Sequence, residues 1–436
     1  MQKLGLACPL GFLASKPQRH KTNILNLNYD CFVAIFSYLT ALEDKLNLAR
    51  AHPQFREVLT REAPRRYAKI NMRLLRCISD WDFLLKLCGD CVVECELRHG
   101  RWDDNITQPF LTLLNAYCKN LRHLHLIFAH SNIKPPAESG DLNILQMIQR
   151  KDLQSVSLID AKAAEVLQLR NFTELEALHI DGFDVDLTDA NFIELFQALS
   201  QLRRLSLRFA WRRQLPPLAD YCPQLEHLSL ENFEGTLDDV GDFPRLKSLR
   251  LLWRLSVHLN SQLFRSLAKR YGDRLEQLQL TKVNPEHVEH IISLQSLKAL
   301  ACHMWPSETL KHLGKLQQLE CLGLQCSEPI ASIMQLLDVI SNCSKLQHLK
   351  LSKHWQEQEL DRFLYAVQEE LRKQAANGRR EKLMLTLELP ASTAAQNQLK
   401  QNLNSQLLQL DWLGVACPLC MPDRHTKQSI PGLIWF

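Results

Sequence analysis

The sequence predicts an α/β fold: a horseshoe solenoid of parallel strands, each followed by a helix, behind a small all-α module of three helices. Three observations predict it. Leucine fills 83 of the 436 positions, roughly twice its share of an ordinary soluble protein. The pattern Leu-x-x-Leu-x-Leu recurs along most of the chain. Ahead of it, Phe32, Ile35, Phe36 and Leu39 keep the spacing of one helical stripe. Glycine (14 residues) and proline (18) are too few for a collagen-like or low-complexity chain. No apolar run reaches the ~20 residues that span a bilayer.

Residues 1–23 contain no acid and read as a disordered leader. Pro9 and Gly11 interrupt their apolar stretch, and Phe12 stands where a cleavage signal needs a small residue. Residues 24–60 carry the three short helices. Asn28 is the expected cap of the first, Glu43–Ala49 forms a second stripe, and the break at His52-Pro53 starts a third. Helices this short enclose little core, which leaves apolar side chains for a partner. Residues 61–91 are expected to form a helical linker and the N-terminal cap of the solenoid. The repeats follow over 92–415, about 12–13 of them, with a tail at 416–436.

Clear repeats begin at Leu121, Leu153, Leu175, Leu202, Leu225, Leu246, Leu275, Leu297, Leu319 and Leu346. Val92 opens a variant copy, and degenerate copies lie at Leu383–Leu385 and Leu407–Trp412. Ten steps separate 92 from 346, a mean near 25 residues. Within Leu-x-Leu both side chains share one face of a strand. Helices are expected after the strands, as at 188–199, with a capping Thr188 or Asp189 at its start, and at 329–340. One such unit cannot bury its apolar face alone; stacked copies can, with the leucines as a continuous core. Cys118, Cys222 and Cys343 each stand three residues before a first leucine. A small, weakly polar side chain suits that tight place, so these cysteines read as structural.

These features resemble two known families in series. The stretch Leu27–Leu39, with Asp44–Leu46 and Ala51–Phe55, is similar to an F-box, although Asn28, Ala51, His52 and Phe55 depart from its usual residues. The later part resembles the cysteine-containing subtype of leucine-rich repeat. It lacks that repeat's usual Asn three residues after the last leucine, where Phe183, Phe233 and Val283 stand. The resemblance implies a substrate-recognition subunit of a Skp–cullin–F-box ubiquitin ligase. It would dock the Skp-type adaptor, and through it cullin and a RING protein, by Leu27, Phe32, Ile35, Phe36, Leu39, Leu46 and Phe55. It would itself be non-catalytic. The alternative is a leucine-rich scaffold with a degenerate F-box, acting outside a ligase.

The third, fifth and seventh positions of each repeat should face away from the core and line a long surface for a protein substrate. Arg204, Arg208, His227, Arg250, His303, His348 and Lys350 fall there, with a basic centre at the three arginines. Trp211, Trp253 and Trp305 fall on loops leaving the strands, with Arg208 and Arg250 close by. Trp and Arg are over-represented among binding hot spots.

The net charge of +4 divides unevenly. Residues 1–76 hold 13 Lys/Arg and 5 Asp/Glu, or +8; the remainder holds 39 and 43, or −4. A body with that balance offers little field for phosphate, so nucleic acid is not expected as a partner, nor is a membrane. Fourteen cysteines scattered over a long chain suggest buried thiols in the cytoplasm or nucleus. No cofactor or metal is expected. Cys88 and Cys91 precede a strand rather than open a helix, and Cys417, Cys420 and His425 are half of a zinc site. Glu286, His287, Glu289 and His290 read as a solvated helix face, because the histidines lack the i, i+4 spacing of a metalloprotease.

Overall fold

The computed structural model describes residues 23–100, 104–129, 144–149, 152–183, 188–209, 218–232, 243–252, 261–325, 334–352, 357–376, 382–388 and 407–411. The chain divides into two compact units, Met1–Arg65 and Arg66–Phe436.

The first unit holds helices α1 (Tyr29–Tyr38), α2 (Leu42–Ala51) and α3 (Pro53–Arg66), the last running on into the second unit. The Asn28 side chain accepts the Cys31 N–H at 3.0 Å and caps α1. Pro53 opens α3, where its missing N–H costs no hydrogen bond. Phe55 of α3 stands edge-on to Phe32 at 5.2 Å and tilted against Phe36 at 6.4 Å, both from α1. Leu46 and Ala49 of α2 are fully buried.

The second unit is built on one sheet of fourteen strands in sequential order. They are β1 (Lys69–Asn71), β2 (Glu94–Gly100), β3 (His123–Ala129), β4 (Ser155–Ile159), β5 (Ala177–Phe183), β6 (Arg204–Phe209), β7 (His227–Glu231), β8 (Ser248–Leu252), β9 (Gln277–Lys282), β10 (Ala299–Met304), β11 (Cys321–Gln325), β12 (His348–Ser352), β13 (Leu383–Glu388) and β14 (Leu408–Asp411). Every pairing is parallel. One column therefore runs Leu178, Leu205, Leu228, Leu249, Leu278, Leu300, Leu322, Leu349, Leu385 across nine strands, each leucine opposite the next. All nine are buried. The repeated leucine is thus a register mark: a slip of one residue would turn the whole column out of the core.

Helices cover the leucine side: α4 (Ile78–Cys88), α5 (Asp104–Tyr117), α6 (Ile144–Met147), α7 (Ala163–Gln168), α8 (Asp189–Ala198), α9 (Ser261–Tyr271), α10 (Pro285–Ile292), α11 (Leu336–Asn342) and α12 (Glu357–Ala376). Thr188 caps α8 by accepting the Asn191 N–H at 3.3 Å. The helix expected at 329–340 is α11; residues 329–333 lie outside the described residues. Ahead of the repeats, fully buried Trp81 of α4 donates its indole N–H to the Leu75 carbonyl at 3.1 Å. Its ring meets Phe110 of α5 edge-on at 4.7 Å.

The three repeat cysteines are buried, and none is in a disulfide. Each N–H closes the preceding helical turn, and each carbonyl accepts the N–H of the repeat's first leucine, as in Leu346 N to Cys343 O at 3.1 Å. The Cys343 thiol also reaches the Leu313 and Leu316 carbonyls of the previous repeat. Cys321 departs from the expectation of reduced thiols: it is disulfide-bonded.

The missing strand-end Asn has a structural answer one residue earlier. Asp160, Gly182 and Asn232, each two residues after the last inward aliphatic side chain, adopt positive φ of 55°, 73° and 58°. The Asp160 N–H reaches the Asp181 carbonyl and the Asn232 N–H the Leu252 carbonyl, both at 2.8 Å on the next strand. Asn, Asp and Gly tolerate this conformation best. A Cβ at Gly182 would meet Asp160 Oδ1 at 2.1 Å. Gly182→Ala is expected to destabilise the second unit by at least about 1–2 kcal/mol, read as a lower denaturant midpoint. An unchanged midpoint would contradict this account of the turn.

Candidate interaction face of the sheet

Side chains that alternate with the leucine column stand on the opposite face. There the sequence does not repeat. Arg204, Arg208, His227, Arg250, His348 and Lys350 all lie on this face, half-buried. The His303 backbone lies in β10, but its side chain is outside what the structure describes, as are Trp211 and Trp253. Trp305 is not an exposed rim residue. It is 7% exposed, and its indole N–H has no hydrogen-bond partner.

The expected basic centre is reorganised by pairing. Arg208 lies 3.0 Å from Asp181 on one neighbouring strand and 3.0 Å from Glu231 on the other. Its guanidinium therefore bridges two carboxylates and is not a bare anion receptor. The seventh positions of three successive repeats read Asp, Arg, Glu, so aligning the repeats would have revealed this triad. A second cluster joins Glu94 to Lys69 at 3.1 Å and to His125 at 3.4 Å. Burial raises the Glu94 pKa, but hydrogen bonds from His125 and Lys69, with the Lys69 charge, bring it below the usual carboxylate value.

Burial disfavours the charged form of three histidines on this face, His179, His227 and His348. Desolvation pulls the His179 pKa down to about 4, against the nearby Asp181 charge. Its Nδ1 lies 2.9 Å from Ser206 Oγ. Desolvation also lowers His227, assisted by Arg204, and His348. A histidine with a depressed folded pKa resists protonation that the unfolded chain accepts, so stability falls as pH drops from about 6.5 towards about 4. Wild type is expected to lose more stability over that window than His179→Asn, measured by urea unfolding at both ends. Equal losses would contradict the burial of a neutral imidazole.

A different pattern runs along the edge where the strands begin. The second repeat positions read Glu176, Arg203, Glu226, Lys247, Glu276, Lys298, Glu320, alternating in sign. Glu226 lies 3.4 Å from Arg203 and 2.8 Å from Lys247, and Glu276 lies 3.2 Å from Lys298. Their backbones bind too: the Glu226 carbonyl accepts N–H groups from Lys247 and Ser248. The ladder is mostly self-neutralised, and exposed pairs of this kind contribute about 0–1 kcal/mol each.

In the first unit, Phe32, Phe36, Leu46 and Phe55 are at most 5% exposed. They form its core and are not surface anchors. Leu27 is 41% exposed and Tyr38 is 85% exposed; Ile35 and Leu39 are half-buried. The helical stripe read from the sequence is real, but its two phenylalanines face inward.

Other sequence candidates resolve as packing. His287 is fully buried rather than solvated, stacked on Phe264 at 4.4 Å. Its Nδ1 accepts the Asn284 N–H at 3.4 Å, and desolvation lowers its pKa. Desolvation pushes the Cys88 thiol up to about 12, opposite to the requirement of a redox Cys-x-x-Cys. Cys417, Cys420 and His425 lie outside the described residues. Among the described residues, no group of three or more His, Cys, Asp or Glu could hold a metal ion, and no helix is long and apolar enough to cross a membrane.

No protein-family model matches the chain. The chain is 30% identical over 192 residues to volume-regulated anion channel subunit LRRC8B of Mus musculus; the match covers 43% of this chain and 22% of that protein. The chain thus spans about a fifth of that relative's length. Among solved structures, internalin C2 of Listeria monocytogenes is 15% identical, with a TM-score of 0.28 over 52% of this chain and 84% of that one. Internalin InlF of the same organism is 11% identical, with a TM-score of 0.26 over 81% and 89%. At these scores the likenesses carry no argument of their own. The parallel register and the unbroken leucine column identify the fold of the described strands, from β1 to β14, as a leucine-rich-repeat solenoid.

Proposed function

We propose that the protein is a non-catalytic substrate receptor of a Skp–cullin–F-box ubiquitin ligase. Its first unit docks the Skp-type adaptor, and the open face of its sheet captures a protein for ubiquitination. The observation that supports capture is the contrast between the two faces. The inward side chains repeat from strand to strand, whereas the outward ones form an individual pattern of histidines, arginines and ion-paired acids. Individual chemistry on a regular frame suits recognition of a particular protein surface. The support for adaptor docking is the F-box resemblance of Leu27–Leu39, with Leu27 and Tyr38 exposed on that segment.

A photo-crosslinking residue placed at Ser229, at the centre of the open face, is expected to capture a discrete protein partner in cells. The same residue at Glu286, exposed on α10, should not. Equal capture at both positions would overturn the capture reading.

A further inference from the structure

We propose that residues 412–420, which follow β14, form a strap across the open face. A disulfide from Cys417 or Cys420 ties it to Cys321 of β11, and reduction by a small thiol releases it. The proposal rests on the reading of that face as the capture surface and describes how access to it is regulated.

Cys321 takes the third position of its repeat. Leu322 beside it belongs to the inward column, so the Cys321 side chain stands on the open face. It is disulfide-bonded. The other nine cysteines among the described residues are in no disulfide. The partner is therefore one of Cys8, Cys326, Cys417 and Cys420, all outside the described residues. Bridged cysteines have Cα atoms within about 7 Å of each other. Cys326 follows Gln325, the last residue of β11. An extended strand rises about 3.3 Å per residue, which puts Gln325 about 13 Å from Cys321 and Cys326 no nearer than about 9 Å. Cys326 is excluded.

The sheet register favours the segment after β14. Asp411 pairs with Thr386, Thr386 with Lys350, and Lys350 with Gly323. Asp411 thus lies three strands from β11 and two residues along from Cys321, about 16 Å away in all. The six residues from Asp411 to Cys417 and the nine to Cys420 span up to about 20 and 30 Å, so either cysteine can reach. Because Cys321 faces outward, the short path passes over the open face of β13 and β12. Cys8 belongs instead to the first unit. The face is closed to solvent where the strap would end. Ala299 and Cys321 are 4% and 2% exposed, although Ala301 and Gly323 beside them are too small to shield them.

A disulfide in a chain whose other described cysteines are thiols suits redox sensing in a thiol-reducing compartment. Opening is a thiol–disulfide exchange. The thiolate of a small reductant attacks one sulfur, the bond to the other breaks, and the leaving thiolate takes up a proton. A second reductant thiol attacks the mixed disulfide that remains and frees the second cysteine as a thiol. Two electrons pass to the bond, and the reductant departs as its own disulfide. Closure is the reverse exchange with that oxidised form. The closed strap covers the outward side chains of β12 and β13, and the open one leaves them to a partner.

The test treats the full chain with oxidised glutathione, alkylates it without reduction, and maps its linked peptides by mass spectrometry. Cys321 should be recovered linked to Cys417 or Cys420. Cys321 unlinked, or linked to any other cysteine, would overturn the strap. A photo-crosslinking residue at Lys350 should join residues 412–420 of the same chain in the oxidised protein and lose that product with dithiothreitol. Cys321→Ser should lose it in both states, and so should Cys417→Ser/Cys420→Ser, which leaves the sheet untouched. The residue at Lys350 should capture a partner protein only after reduction, or in either variant. Capture at Lys350 unchanged by oxidation would overturn the gate and leave the capture reading standing. No capture at Lys350 or Ser229 in any state, with the Cys321 link confirmed, would overturn the capture reading and leave the strap standing.

Discussion

Trp81→Ala is expected to cost about 3–5 kcal/mol of stability in the second unit, the range for removing a large buried aromatic side chain. Trp81 is the largest fully buried side chain among the described residues. It joins α4 to the first repeat helix by its contact with Phe110 and ties the chain at Leu75 through its N–H. A stack of repeats is apolar at both ends, so its first repeat needs a cover. Losing the cover should expose the column from the β2 end first. Hydrogen exchange should therefore rise in β2 and β3 before β9 and β10, alongside a lower urea midpoint. A midpoint unchanged within error would mean that α4 is not the cap.

The second large effect concerns Arg208. Arg208→Met keeps an apolar stem but removes the guanidinium between Asp181 and Glu231, leaving two carboxylates without their shared cation. A fully buried pair broken in this way loses about 3–5 kcal/mol. Here the side chains of Arg208, Asp181 and Glu231 keep 34%, 24% and 12% of their exposure, so about 2 kcal/mol is expected. Neutralising the acids as well, in the triple variant Arg208→Met/Asp181→Asn/Glu231→Gln, should restore most of the loss, because the cost lies in unpaired charge. Additive losses would show that Arg208 acts through packing instead. The same variant bears on recognition. If Arg208 serves the fold, the single variant should weaken partner capture only as far as it weakens stability.

The fold was legible because its main signal is a register. Leucines at a fixed spacing can all face one way only if the strands are parallel and in step, and the column from Leu178 to Leu385 does so. The strand exits were harder to read. Asp160, Gly182 and Asn232 share a backbone conformation and not a side chain, so no single-letter pattern marks them. The first unit shows the limit of periodicity. Phe32, Ile35, Phe36 and Leu39 form a helical stripe whether they face a core or a partner; contact with Phe55 assigns the two phenylalanines to the core. On the open face, composition alone suggested a basic centre at Arg204, Arg208 and Arg250. The triad around Arg208 depends on which residues become neighbours across strands, which requires the repeats to be aligned first.

Burial also changes which variants can test the function. Substituting Phe36 would disturb the core of the first unit and confound docking with folding. Leu27 and Tyr38 are exposed and can be changed without opening that core. The most direct test of the central claim is recovery of the Skp-type adaptor and cullin with the full chain, compared between wild type and Leu27→Asp/Tyr38→Asp at matched thermal midpoints. The account predicts that wild type retains both proteins and the double variant retains neither. Equal recovery by the two, or no adaptor with wild type, would contradict it.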